Sequence, residues 1–163
     1  MRTPVRLLVL VSVLAASWSA CSKNTTPAAP TPVTQPTQAS ITLTVSPNPV
    51  TALDCSPPCV ATSGIGYRFH ITGTLTVQET AGVSGNIDSI TVTGFATFGA
   101  DDVIMRSGTN HVAAKGSLSF PLNLIYGRTD DPNATRSRVV PITVAFGDDR
   151  GNRLTPVVQW TAN

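Results

Sequence analysis

The chain has 163 residues, 12% of them charged and 41% apolar, and its formal net charge of +2 is that of Arg2 and Arg6, because the other nine Lys and Arg are matched by nine Asp and Glu. Removing an N-terminal signal and a linker leaves about 120 residues, the size of one domain with one core. A near-neutral domain whose only basic pairing is Arg136 and Arg138 lacks the cationic face that nucleic-acid binding needs, so no nucleic-acid partner is expected. Few charges and abundant Thr, Ser, Gly and Val favour short strands over charged amphipathic helices, and an all-β fold is expected.

Arg2 and Arg6 precede an apolar run from Leu7 to Ala16, and small residues then lead to Cys21. Basic start, apolar core and small residues are signal-peptide architecture over residues 1–20. The run is shorter than the roughly 20 apolar residues that span a bilayer. Its end, Trp18-Ser19-Ala20-Cys21, resembles the lipobox of bacterial lipoproteins, in which an apolar residue and two small residues precede the cysteine at which the signal is removed. The departure is Trp18, where that family usually has leucine. Cleavage after Ala20 as an ordinary secretory protein meets the same bulky Trp18 where a small residue is needed, and cleavage after Ser19 would give a soluble product. The resemblance implies lipidation of Cys21 and attachment to the membrane of a bacterial cell envelope, with Ser22 leaning toward the outer membrane or cell surface over the inner membrane. Two or more acyl chains make such an anchor stable, since each buried methylene adds about 0.8 kcal/mol.

Residues 22–40 hold four prolines, five threonines and one charge, Lys23. Such sequence cannot make a core; it favours extended backbone at roughly 3 Å per residue and reads, with Cys21, as a disordered tether over 21–40.

From Ile41 to the C-terminus the apolar pattern has period two. Ile41, Leu43 and Val45 form a first strand that Ser46-Pro47-Asn48-Pro49 ends. The clearest strand is 67–78, with Tyr67, Phe69, Ile71, Leu75 and Val77 on one face and Arg68, His70, Thr72, Thr74, Thr76 and Gln78 on the other. After a turn at 81–86 the chain returns through Ile90 and Val92, and Phe95 and Phe98 fall out of phase, which predicts a bend or bulge near Gly94. Val103 to Arg106 reads as a short edge strand. Val112 to Tyr126 reads as a long one, and Pro121 in its middle predicts an edge position or a bulge. Val140 to Phe146 and Leu154 to Trp160 complete the set. About seven strands with regularly spaced turns predict a two-sheet antiparallel β-sandwich for 41–163. The alternation and the opening Ser46-Pro47-Asn48-Pro49 resemble immunoglobulin-like and fibronectin type III-like domains of bacterial surface proteins, although the Cys-Trp-Cys arrangement of antibody domains is absent.

With Cys21 assigned to lipid, Cys55 and Cys59 remain as an even pair in an exported, oxidising context and are expected to form a small structural disulfide. The alternative, a redox pair, suits two intervening residues at a helix start; here three intervene, two of them proline. His70 and His111 read as solvated histidines rather than ligands or bases. The acid pairs Asp101-Asp102, Asp130-Asp131 and Asp148-Asp149 fall in turns, where Asp is ordinary; calcium is the cation such carboxylates would suit, but none has EF-hand spacing. Gly82-Val83-Ser84-Gly85 is not a nucleophile elbow, and Glu79, the sole glutamate, leaves a paired-carboxylate glycosidase dependent on an aspartate. No catalytic residue, cofactor or metal site is therefore expected. The expected function is a non-catalytic binding or structural domain whose protein or glycan partner meets the loops at 79–86, 107–111 and 147–152, predicted to share one end of the sandwich. The alternatives are a small hydrolase or hydrolase inhibitor, with a histidine and an aspartate in one pocket, and a surface assembly subunit.

Overall fold

A computed structural model describes residues 34–163; the signal, Cys21 and the tether as far as Val33 lie outside them. The described residues form ten strands and one helix, arranged as two antiparallel sheets packed face to face. The expected all-β sandwich is thus present, with more strands than the seven expected.

The first sheet is built on β3 (Gly66–Glu79). One side of β3 pairs with β1 (Ile41–Ser46) along its second half and with β2 (Leu53–Val60) along its first, and the other side pairs with β7 (Ser117–Arg128). The second sheet runs in the order β10 (Val157–Ala162), β8 (Arg138–Asp148), β4 (Gly85–Val92), β5 (Ala96–Gly99). Two short strands extend it, β6 (His111–Val112) on β4 and β9 (Arg153–Leu154) on β8. Period-two burial follows the apolar alternation. Ile71, Leu75 and Val77 of β3 face Ile87, Ile90, Ile142 and Phe146 of the second sheet, all almost fully buried. Trp160 closes one side of the sandwich, fully buried, with its indole N–H donated to the Pro47 carbonyl at 2.9 Å.

The bend expected near Gly94 is the β4–β5 turn, where Gly94 takes φ +80° and Phe95 N–H returns to the Val92 carbonyl at 3.0 Å. The edge position expected from Pro121 also holds, since among the described residues β7 pairs only with β3. Two expectations are corrected. The edge strand at Val103 to Arg106 is instead α1 (Ala100–Ser107). The Asp102 carboxylate accepts the Gly99 N–H at 3.1 Å, Asp101 and Asp102 sit in the positive first turn, Arg106 in the last, and Gly108 ends the helix in the left-handed conformation. The stretch around Cys55, where the apolar alternation assigns no strand, is strand β2. Its register with β3 breaks between Asp54 and Cys59, and the extra residues bulge out between the two paired ends.

Helix α1 packs against β4 and β5 of one sheet and β7 of the other, bridging the gap between the two sheets and sinking Val103 completely into the core. Beyond the helix the same gap is open.

Candidate functional site

The two ends of the sandwich differ in what they hold. At one end lie Ile41, Glu79, Gly85, Ser117 and Asp148, as the strand registers require. The loops at 79–86, 107–111 and 147–152 do meet there. Gly85 pairs with both Val112 and Asp148, Asn86 with His111 and Gly147, and the Ser84 carbonyl accepts the Asp149 N–H at 2.9 Å. A Cβ on Gly85 would stand 2.4 Å from the Gly147 carbonyl oxygen, so only glycine permits this approach.

This is also the end at which the chain enters the fold. Two buried carboxylates hold the incoming segment. Glu79, with no solvent exposure, accepts four backbone N–H groups: Ser40 at 3.1 Å, Ala81 at 2.8 Å, Gly82 at 2.7 Å and Lys115 at 2.9 Å. Asp148 accepts the Ala39 N–H at 2.9 Å together with the Arg150 and Asn152 N–H groups and the Asn152 side-chain amide. Burial alone would raise both carboxyl pKa values, but these donors favour the charged form more strongly and bring Glu79 from 4.5 and Asp148 from 3.8 down to about 2. Ala39 is buried, and the Asn152 side chain donates to the Thr37 carbonyl. The packed unit thus reaches back past Ile41 to residue 34.

Neither carboxylate was singled out for this role by sequence reasoning, which placed Asp148 in a turn and weighed Glu79 only as a glycosidase acid. A signal was present. Glu79 continues the inward alternation of Leu75 and Val77, and Asp148 that of Val144 and Phe146, so each is an acid at a position facing the core.

The other acid pairs are also engaged within the fold. Asp130 pairs with Arg128 at 2.6 Å, Asp131 accepts the Asn133 N–H at 2.9 Å, and Asp102 caps α1. Among the described residues no three His, Cys, Asp or Glu side chains converge to hold a metal ion. His70 is half-buried in register with Leu53 and Ile125; His111 is exposed, with Nδ1 3.3 Å from Asn86 Oδ1. The structure does not bring the two histidines together, and neither lines the clefts at the two ends of the sandwich. Cys55 and Cys59 form a disulfide, their Cα atoms 5.3 Å apart, across the bulge of β2 and away from any helix.

The smaller cleft, about 260 Å³, lies at the incoming end among Asn86, Asp88, Asp149 and Arg153. The larger, about 680 Å³, opens at the far end in the gap between β5 and β7. Phe95, Phe98, Tyr67 and Tyr126 supply its aromatic surface, and Asn123, Ile125, Asp131, Thr135 and Arg138 its polar and main-chain surface. Its volume is that of small-ligand and peptide sites. The Arg138 guanidinium lies 4.9 Å from the Phe95 ring centroid, and Arg106 of α1 lies 4.7 Å from that of Phe98. Tyr126 donates its hydroxyl to the Arg136 carbonyl; burial pushes the phenol pKa up, while the charges of Arg136 and Arg138 pull it back.

Comparison of the chain with protein-family models finds no match, and comparison with curated proteins finds none either.

Proposed function

We propose that this chain is a bacterial envelope lipoprotein, anchored by lipid on Cys21, whose immunoglobulin-like sandwich is a non-catalytic binding domain held off the membrane by the tether. The observation that carries this reading is the double clamp on Ala39 and Ser40. A chain that joins an anchor to a domain needs a firm point of attachment, and Asp148 and Glu79 supply one at the incoming end. The larger cleft lies at the end of the sandwich opposite this attachment and is the proposed partner site.

This shifts the expected binding end. The loops at 79–86 and 147–152 pack against the incoming segment, whereas none of residues 34–40 lines the far-end cleft. The strand order supports the immunoglobulin-like reading. The first, third and seventh strands share one sheet, and the tenth, eighth, fourth and fifth follow one another in the second, an arrangement found in sandwiches of that kind. Trp18-Ser19-Ala20-Cys21 at the end of an apolar signal supports the anchor. Fatty-acid labelling of the wild type against Cys21→Ala tests it. Label is expected on the wild type and lost in the variant; unchanged labelling would refute lipidation at this residue.

A further inference from the structure

We infer that the far-end cleft binds an extended acidic peptide segment of a partner protein, which adds to the free edge of β7 as a further strand. The Glu79 N–H bonds to the Gly116 carbonyl at 2.9 Å, and the register runs unbroken from Gln78 opposite Ser117 to Phe69 opposite Tyr126. Main-chain groups alternate sides along an antiparallel strand. Even-numbered residues of this stretch therefore direct theirs at β3, and Ser119, Pro121, Asn123 and Ile125 direct theirs outward. Pro121 has no N–H to offer there, which is why it is tolerated. Among the described residues no strand pairs with β7 on that side. Asn123 and Ile125 line the cleft, so its wall carries two sets of main-chain donors and acceptors at strand spacing. An extended polypeptide satisfies such a row in register.

Charge selects the kind of peptide. The ion pairs among the described residues join Arg128 to Asp130, Arg136 to Asp54 and Arg153 to Asp88. Arg138, which lines the cleft stacked on Phe95, is in none of them, nor is Arg106, which stacks on Phe98 from α1 outside the cleft lining, and the one acid lining the cleft, Asp131, is turned to the Asn133 N–H. One ring-held guanidinium group in the cleft, with a second on the outer side of Phe98, favours carboxylate side chains. The chain's own residues 22–33 do not fit, since they carry Lys23, three prolines and no acid. A second copy meeting edge to edge would bring these arginines against their own equivalents.

The inference rests on the reading of this chain as a binding domain but not on its anchor, so it is tested on the full chain carrying Cys21→Ala. The probe is a peptide of about ten residues alternating glutamate and threonine, long enough to span the free edge. Three controls accompany it: the lysine counterpart, the glutamate peptide N-methylated at alternate amides, and an oligogalacturonate of similar charge. Saturable binding of the glutamate peptide alone is expected, with amide shifts at Asn123 and Ile125. Affinity should fall about tenfold in Arg138→Ala, the loss of one charge-assisted contact. Asn123→Pro, which removes an outward N–H, should weaken binding while leaving the thermal midpoint near that of the wild type. If that variant fails to fold, the N-methylated peptide asks the same question from the other strand. Equal binding of the lysine or N-methylated peptide, binding of the oligogalacturonate alone, or self-association without peptide binding would each overturn the inference.

Discussion

Glu79 shows how a single side chain can hold the incoming segment to the rest of the fold. Four backbone donors from three separate segments converge on one carboxylate with no access to water, and a buried donor left without its acceptor is costly. Glu79→Gln keeps the shape but replaces one acceptor with a donor facing amides, and it is expected to cost about 3 kcal/mol, read from urea unfolding. The pH dependence has a definite sign. With the folded pKa about 2 against 4.5 for Glu79 and 3.8 for Asp148, both carboxylates stabilise the fold fully above pH 4.5, and that contribution is lost as pH falls toward 2. Unfolding midpoints measured between pH 6 and pH 2 should therefore fall on acidification. Glu79→Gln should flatten the slope, and an unchanged slope would mean that the carboxylate is not charged in the fold.

At the level of elements, close packing at the incoming end makes β4 sensitive at its first residue. Gly85→Ala would place a methyl within 2.4 Å of the Gly147 carbonyl and 2.6 Å of the Phe146 ring, and overpacking of this kind is expected to cost about 3 kcal/mol, measurable as a lowered thermal midpoint. The elements legible in the sequence were those long enough for period two to show. The strand at 67–78 and the edge character announced by Pro121 were read from alternation and from the chemistry of one residue. Helix α1 escaped because it makes barely two turns and buries only Val103, too short a stretch for a helical period to stand out from a strand, and its caps, Gly99 with Asp102 and Gly108, are its main signal. Strand β2 escaped because its ladder is interrupted at the bulge bridged by Cys55–Cys59, and two prolines in that bulge read as a break. The far-end cleft could not be read at all. It is made by the distance between two sheet edges, and the residues lining it come from segments as far apart as Ala61 and Arg138.

At the largest scale, residues 34–163 form a sandwich with two unlike ends: one clamps the incoming chain through buried carboxylates, and the other leaves two sheet edges parted around an aromatic, arginine-flanked cleft. If Cys21 is lipidated as proposed, the incoming end is expected to lie nearer the membrane than the cleft. The most direct test is the distance of each end from a bilayer, measured by energy transfer to a lipid-borne acceptor from a dye at Arg150→Cys or at Asn133→Cys in the full-length protein reconstituted in vesicles. Arg150 lies at the incoming end and Asn133 beside the cleft, and strands of this length set the ends roughly 40 Å apart. Stronger transfer from the Arg150→Cys dye than from the Asn133→Cys dye is the expected result. Equal transfer from both, stronger transfer from Asn133→Cys, or no association with the vesicles would contradict it.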